Sequence, residues 1–169
     1  MRPAYSVLMV CMGNICRSPT AEGVLRQIVR DAGLEHAVQI DSAGTHDYHP
    51  GHPPDPRSCR HALRRGYDLS ALRARLVQPL DFSRFDLILA MDWENLEALQ
   101  VICPAGQQHK LRRLMEFAPT GLGDVVADPY YGGPEAFDAV LDVVEPACRG
   151  LLIHLRDALR LPPAGHKPE

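Results

Sequence analysis

Val7-Leu-Met-Val-Cys-Met-Gly-Asn-Ile-Cys-Arg-Ser-Pro-Thr-Ala-Glu22 joins an apolar run to a helical pattern through a small polar loop. Tyr5 to Val10 has the pattern of a buried strand. It ends at Cys11. Arg17 follows six residues later, and then Ser18-Pro19 predicts a helix start, with Ser18 as N-cap and Pro19 in the first helical position. Ala21, Val24, Leu25, Ile28, Val29 and Ala32 recur at the spacing of one buried face, so the helix is expected over Pro19–Gly33. A cysteine therefore stands at the C-terminal tip of a strand. The loop it opens offers several backbone N–H groups and the positive end of a helix dipole to one oxyanion-sized space.

These residue types suit phosphoryl transfer. A thiol with an ordinary pKa near 8.5 falls to roughly 3.5–7.5 beside a helix N-terminus and a cation, which predicts Cys11 as a thiolate at neutral pH. Arg17 supplies a planar fork able to grip two phosphate oxygens, which lysine cannot do. Gly13 and Asn14 tolerate positive φ and would let the loop curl its amides inward. Ser18 could cap the helix and also donate its hydroxyl to the Cys11 sulfur. Thiolate, amides and arginine together would stabilise the charge of an in-line phosphoryl transfer. The spacing of Cys11 and Arg17 alone also fits a structural cysteine with an unrelated surface arginine. The strand before them, the Gly-Asn pair and the Ser-Pro start after them favour the reactive reading.

Strands and helices alternate outward from this stretch. Further strands are expected at Val38–Asp41, Phe85–Ala90 and Lys110–Met115. Helices are expected over Arg57–Arg65, over Glu94–Gln100 with Asp92 as N-cap, and over Ala136–Leu159, kinked or broken at Pro146. The pattern predicts an α/β fold, a three-layer sandwich with a central four-stranded parallel sheet and the phosphate-binding loop after the first strand. Ligands in such folds bind beyond the carboxyl ends of the strands, where Cys11 falls. Residues 1–160 are expected to form a single domain, and the Pro-rich tail 161–169 to fray.

Bulk properties narrow the function. A chain of 169 residues, 46% of them hydrophobic, can bury one real core. A net charge of −3 gives no electrostatic case for nucleic acid or an anionic membrane surface. No apolar stretch approaches membrane-spanning length, and the first residues lack the apolar centre of a signal peptide. Five cysteines without scaffold-like spacing fit reduced thiols, and a cytoplasmic location is expected.

Cys11-Met-Gly-Asn-Ile-Cys-Arg-Ser18 resembles the signature loop of the low-molecular-weight protein tyrosine phosphatases. Asp128-Pro129-Tyr130-Tyr131 resembles that family's distant acid segment. Asp41-Ser42-Ala43-Gly44-Thr45, Asp55-Pro56-Arg57 and Ala90-Met91-Asp92 resemble family segments in the family's order, so the likeness runs from about Tyr5 to Leu159. The resemblance implies a phosphoric monoester hydrolase that acts on phosphotyrosine in proteins through a phosphocysteine. Cys11 would be the nucleophile, Arg17 the phosphate clamp and Asp128 the general acid and then base. Met12, Gly13, Asn14, Ile15, Cys16 and Ser18 would surround the phosphate. Asp128 can hold its proton if bound phosphate and partial burial raise its pKa. Tyr131 and Tyr48 resemble the walls of the substrate pocket, with Tyr130 a weaker candidate. Tyr48 sets the chain apart from a bacterial subgroup, linked to polysaccharide-export kinases, that carries a small aliphatic residue there. No metal or organic cofactor is implied. The implied partners are phosphotyrosine proteins, with a tyrosine kinase as one candidate, and inorganic phosphate or other oxyanions as product or inhibitor.

Several positions stand apart from that pattern. Many relatives carry a histidine that braces the loop asparagine, and Leu72 falls at that place here. Cys16, inside the same loop, is either a candidate redox partner of Cys11 or a small residue packed under the loop. His46, His49 and His52 have a spacing that could suggest a metal site, but Pro50-Gly51 between them favours a wet rim loop that touches substrate. Arg57, Arg73 and Arg75 read as ion-pair members or solvated charges. Three other functions compete. An arsenate reductase needs a nearby pair of resolving cysteines, whereas Cys59, Cys103 and Cys148 are isolated. A sugar-transport phosphocarrier has no use for Asp128, and a phosphotyrosine-binding module has no need of Cys11 together with Asp128.

Overall fold

The apolar run near the start of the chain forms an inner strand of a parallel sheet. A computed structural model describes residues 3–160. Strand β1 (Tyr5–Cys11) is followed by helix α1 (Arg17–Asp31), strand β2 (Val38–Gly44) and helices α2 (Pro56–Arg64) and α3 (Asp81–Arg84). Strand β3 (Leu87–Ala90), helix α4 (Trp93–Ile102), strand β4 (Leu111–Arg113) and helix α5 (Pro134–Ala158) complete the order, with 3-10 turns on either side of β4. The strands lie in the order β2-β1-β3-β4, all parallel.

Alternation along β1 divides the interior into two cores. Val7, Met9 and Cys11 pack with Ala21, Val24 and Leu25 of α1 and Val144 and Leu151 of α5. Leu8 and Val10 pack on the other face with Phe82, Phe85 and Leu99, from α3, its C-cap and α4. The sheet is thus covered on both faces, which is the three-layer α/β arrangement the sequence predicts. β1 leads to β2 on one side and neighbours β3 on the other, so strand order reverses beside Cys11. A crevice opens there beyond the carboxyl ends of the strands.

Four local expectations are corrected. Helix α1 starts at Arg17, and Cys16, not Ser18, is its N-cap residue, with no side-chain cap. Pro19 consequently occupies the third helical position rather than the first. β2 runs on past Asp41 to Gly44, because Ser42, Ala43 and Gly44 continue in register beside Met9, Val10 and Cys11. α5 passes through Pro146 without a break. The carbonyl that Pro146 cannot satisfy belongs to Asp142, an exposed residue of the helix. The tail, 161–169, lies outside the described residues.

Candidate active site

The loop between β1 and α1 is hung from its carbonyls. The Cys11 carbonyl accepts from the Thr45 N–H and that of Met12 from the His46 N–H. The Ile15 carbonyl accepts from the Asp55 N–H and that of Cys16 from the Thr20 N–H and hydroxyl. The N–H groups of Met12, Gly13, Asn14, Ile15 and Cys16 donate to no protein acceptor among the described residues. Five donors are thereby left for an anion at the start of a 15-residue helix. Close approach of β2 makes this possible: a Cβ on Gly44 would lie 2.7 Å from the Met12 carbonyl oxygen. Asn14 adopts the left-handed conformation, φ 56°; Gly13, expected to share that role, does not.

The Cys11 sulfur is buried and held by a hydrogen-bond chain of defined polarity. Asn14 Nδ2 donates to Ser18 Oγ at 2.8 Å and to Ser42 Oγ at 2.9 Å. The Ser18 hydroxyl proton is then free for Cys11 Sγ, 3.0 Å away. Ser42 in turn donates to Glu22 Oε1 at 2.6 Å. Burial pushes the Glu22 carboxyl above its usual range, against the pull of Ser42 and Arg26, whose Nε donates to the same carboxylate at 2.8 Å. Asn14 Oδ1 accepts from the Arg75 backbone N–H at 3.0 Å, so the asparagine is braced although Leu72 stands where a histidine was to be sought. Arg75 itself is pinned between Asp41 and Asp81. Arg57 pairs with Asp55, and Arg73 donates to the carbonyls of Ser70 and Leu72.

Arg17 is buried in the first turn of α1. Its Nη1 donates to Asp92 Oδ2 at 2.6 Å and to the Val126 carbonyl at 3.1 Å. Nε and Nη2 make no hydrogen bond to protein among the described residues, leaving that edge of the fork for a ligand. Burial works against the charge, but the Cys11 sulfur, Asp92 and Asp128 outweigh it and hold the guanidinium above its ordinary pKa. Asp128 Oδ2 stands 3.7 Å from Nη2, with its side chain about half exposed.

Cys11, Met12, Gly13, Ile15, Cys16 and Arg17 form the floor of a cleft of about 350 Å3, whose upper part is lined by Tyr48, His49, Asp128, Tyr130 and Tyr131. Sequence-predicted groups more than a hundred residues apart thus meet in one place. Ser18 and Asn14 lie behind the floor instead of lining it. Tyr130 is the better-anchored wall, with the Arg57 guanidinium 5.5 Å from its ring, whereas Tyr131 is 95% exposed. His46 stacks on Tyr48, which meets His49 edge-on; of the three histidines only His49 lines the cleft. Burial pushes the Cys16 thiol up to about 12, with Asp55 and Cys11 adding to the rise and a bond to Ser58 opposing it.

Asp92, Ser42, Glu22 and the Val126 carbonyl are site groups that sequence reasoning missed. Asp92 was read as a helix cap and as part of a family-like segment, without a role in the site; the cap is real, since its Oδ1 accepts from the Asn95 N–H at 2.7 Å. Its place just beyond β3, beside β1 in a parallel sheet, was the available signal.

The family model described as low molecular weight phosphotyrosine protein phosphatase matches residues 6–161. A low molecular weight protein-tyrosine-phosphatase of Streptomyces coelicolor is 46% identical over 156 residues, covering 90% of this chain and 94% of the relative. The human low molecular weight phosphotyrosine protein phosphatase is 40% identical over 153 residues, covering 87% and 93%. A crystal structure of a protein tyrosine phosphatase from Entamoeba histolytica, with Hepes in the active site, superposes with a TM-score of 0.88 at 39% identity, covering 92% of this chain and 99% of that one. Wzb of Vibrio vulnificus, solved in complex with benzylphosphonate, gives a TM-score of 0.76 at 26% identity, covering 94% and 99%. Fold, loop and similarity run over the same residues, and the chain belongs to the low-molecular-weight phosphotyrosine protein phosphatase family.

Proposed function

We propose that this enzyme hydrolyses phosphotyrosine in proteins, and small aryl phosphates, through a phosphocysteine on Cys11. The observation that carries the reading is the convergence of three groups in one cleft: a sulfur that accepts from Ser18, the free edge of Arg17, and the Asp128 carboxyl beside that arginine. The thiolate attacks phosphorus in line with the leaving phenolic oxygen. The free amides of the loop and the Nε and Nη2 edge of Arg17 bind the equatorial oxygens, where charge is concentrated. As the P–O bond breaks, protonated Asp128 gives its proton to the phenolate. The resulting carboxylate then takes a proton from water, whose oxygen attacks phosphorus. The S–P bond breaks and the thiolate returns with release of inorganic phosphate.

Tyr48, Tyr130 and Tyr131 line the upper cleft and suit the flat ring of phosphotyrosine better than a short phosphoserine. Benzylphosphonate on Wzb is an aryl-substituted oxyanion of the same shape, which supports this preference. Inorganic phosphate is expected as a competitive inhibitor. Residues up to about 160 act as one catalytic unit, in keeping with the extent of the family match. A tyrosine kinase that makes the substrate is its natural counterpart.

The test is hydrolysis of p-nitrophenyl phosphate and phenyl phosphate in reductant and EDTA. Wild type turns over, Cys11→Ser is inactive, and Asp128→Asn is slower by roughly 10²–10⁴-fold on substrates that need protonation. A Cys11→Ser protein that retains activity excludes the phosphocysteine route.

A further inference from the structure

Asp128 rides on a long loop, residues 118–133, that contains no regular element and includes the positive-φ residues Gly121 and Gly123. Within the loop itself the acid has one local bond, from the Tyr130 N–H to Asp128 Oδ1 at 3.1 Å, which fixes the carboxyl to its own turn but not the turn to the cleft. Near the acid the loop is tied by the Val126 N–H to the Met91 carbonyl at 2.8 Å and by Arg17 Nη1 to the Val126 carbonyl. A third tie lies outside the cleft. Arg113, at the end of β4, donates Nη1 to the Asp124 carbonyl at 2.7 Å. The same guanidinium lies 3.9 Å from the ring centroid of Trp93. Trp93 is the first residue of α4 and follows directly on Asp92, the carboxylate that orients Arg17.

We propose that Trp93 and Arg113 are positioning residues for the general acid: Arg113, seated on the Trp93 face, clamps the 118–133 loop so that Asp128 stays in register with Cys11 and Arg17. The proposal rests on the assignment of Asp128 as the acid. A planar guanidinium suits the task because it can stack on an aromatic face while its in-plane N–H reaches a carbonyl, a combination a lysine ammonium cannot make. The clamp joins the acid loop to the helix whose N-cap holds the phosphate-binding arginine. Donor and clamp of the reaction are thereby referenced to the same rigid end of α4.

The test compares kcat/KM for phenyl phosphate, whose leaving group must be protonated, with that for p-nitrophenyl phosphate, whose delocalised anion leaves with less help. Arg113→Met is expected to lower phenyl phosphate hydrolysis about tenfold, part of the roughly 10²–10⁴-fold that a general acid supplies, while p-nitrophenyl phosphate stays within about threefold. Trp93→Leu gives the same selective loss, and the inhibition constant of inorganic phosphate is unchanged in both. In an Asp128→Asn background Arg113→Met has no further effect on phenyl phosphate, since the group it positions is gone. Trp93 is the only tryptophan. Its emission therefore reports the stack directly and shifts in Arg113→Met. An equal fall on both esters, no fall at all, or a loss that persists undiminished beside Asp128→Asn overturns the proposal. If Asp128→Asn is selective for phenyl phosphate and Arg113→Met is not, the clamp alone fails; if Asp128→Asn shows no selectivity, the acid assignment fails and the clamp with it.

Discussion

Replacing Asn14 separates two things the side chain does, namely holding a left-handed turn and ordering the donors behind the Cys11 sulfur. The side chain is buried and makes three hydrogen bonds, to Ser18, Ser42 and the Arg75 N–H. At a net of about 1 kcal/mol each, their loss in Asn14→Ala costs about 3 kcal/mol. A Cβ residue at φ 56° adds about 1–2 kcal/mol of steric strain that asparagine partly escapes through local hydrogen bonding. The expected total is about 4 kcal/mol, a large share of a typical domain's 5–15 kcal/mol. Asn14→Gly loses the same three bonds but not the strain. After about 0.5–1 kcal/mol for the extra freedom of glycine in the unfolded chain, it should be more stable than the alanine variant by about 0.5–1 kcal/mol. Asn14→Asp keeps the acceptor for Arg75 but puts an oxygen against Ser18. The serine hydroxyl then turns from the sulfur to the carboxylate, so kcat falls most in this variant. Urea unfolding with linear extrapolation gives the stabilities, and p-nitrophenyl phosphate turnover gives the catalytic effect. An Asn14→Ala loss below about 1 kcal/mol would refute the reasoning, because it is smaller than one of the bonds plus the strain.

Gly150 of α5 faces the Phe117 carbonyl so closely that a Cβ would stand 1.8 Å from its oxygen. Gly150→Ala must push helix and turn apart, and a Tm lowered by at least about 2 °C is expected from an overpacking cost of about 1–3 kcal/mol in a chain of this size; an unchanged Tm rules out this packing. Burial raises the Asp55 carboxyl pKa, but its bonds to Arg57 outweigh this and hold it below the usual range. Its stabilising effect is therefore present above the ordinary carboxylate pKa of about 3.9 and is lost as pH falls through the lower folded value. Asp55→Asn should be less stable than wild type at pH 7, with the gap closing under acid; a gap that is constant in urea midpoints down to pH 3 contradicts the sign. For the candidate pairing of Cys11 with Cys16, peroxide first makes a Cys11 sulfenic acid, and the Cys16 thiolate then displaces hydroxide to form the disulfide. Because the Cys16 thiol is pushed up to about 12, the ratio of disulfide to Cys11 sulfinic acid in mass spectra should climb steeply from pH 7 to pH 9, and sulfinic acid without any linkage excludes Cys16 as partner.

The loop, its strand and its helix were legible because the information is local. An apolar run, a cysteine, a Gly-Asn pair and a helical period stand within thirty residues. Ser18 shows the limit of that logic. Its type and its neighbour Pro19 read as a cap, but the helix begins two residues earlier than that reading puts it and the hydroxyl turns back to the sulfur instead. The end of β2 was hidden because Asp41 and Ser42 look like the start of a turn. Ser42 is polar only because it carries the hydrogen-bond chain from Asn14 to Glu22. Asp92 and Val126 hold Arg17 from 75 and 109 residues away, and Arg113 meets Trp93 through the edge of the sheet. Such contacts are set by strand order, which no local pattern encodes. Leu72 taught the converse. The residue missing from a familiar position removed no support, since a backbone N–H, that of Arg75, does the bracing.

Cys11, the proposed nucleophile, is the last residue of an inner strand and a member of the α1–α5 core, while Asp128, the proposed acid, stands on an irregular loop with its side chain about half exposed. The two halves of the reaction therefore sit in regions of very different cohesion. Cys11 cannot leave its place without breaking the sheet, so the amide protons of β1 are expected to exchange only with global unfolding, whereas the 118–133 loop opens from far shallower states. Warming dissects the enzyme in that order. On the proposed mechanism, protonation of poor leaving groups is expected to fade first, with phosphate capture and attack on activated esters persisting until the fold itself is lost.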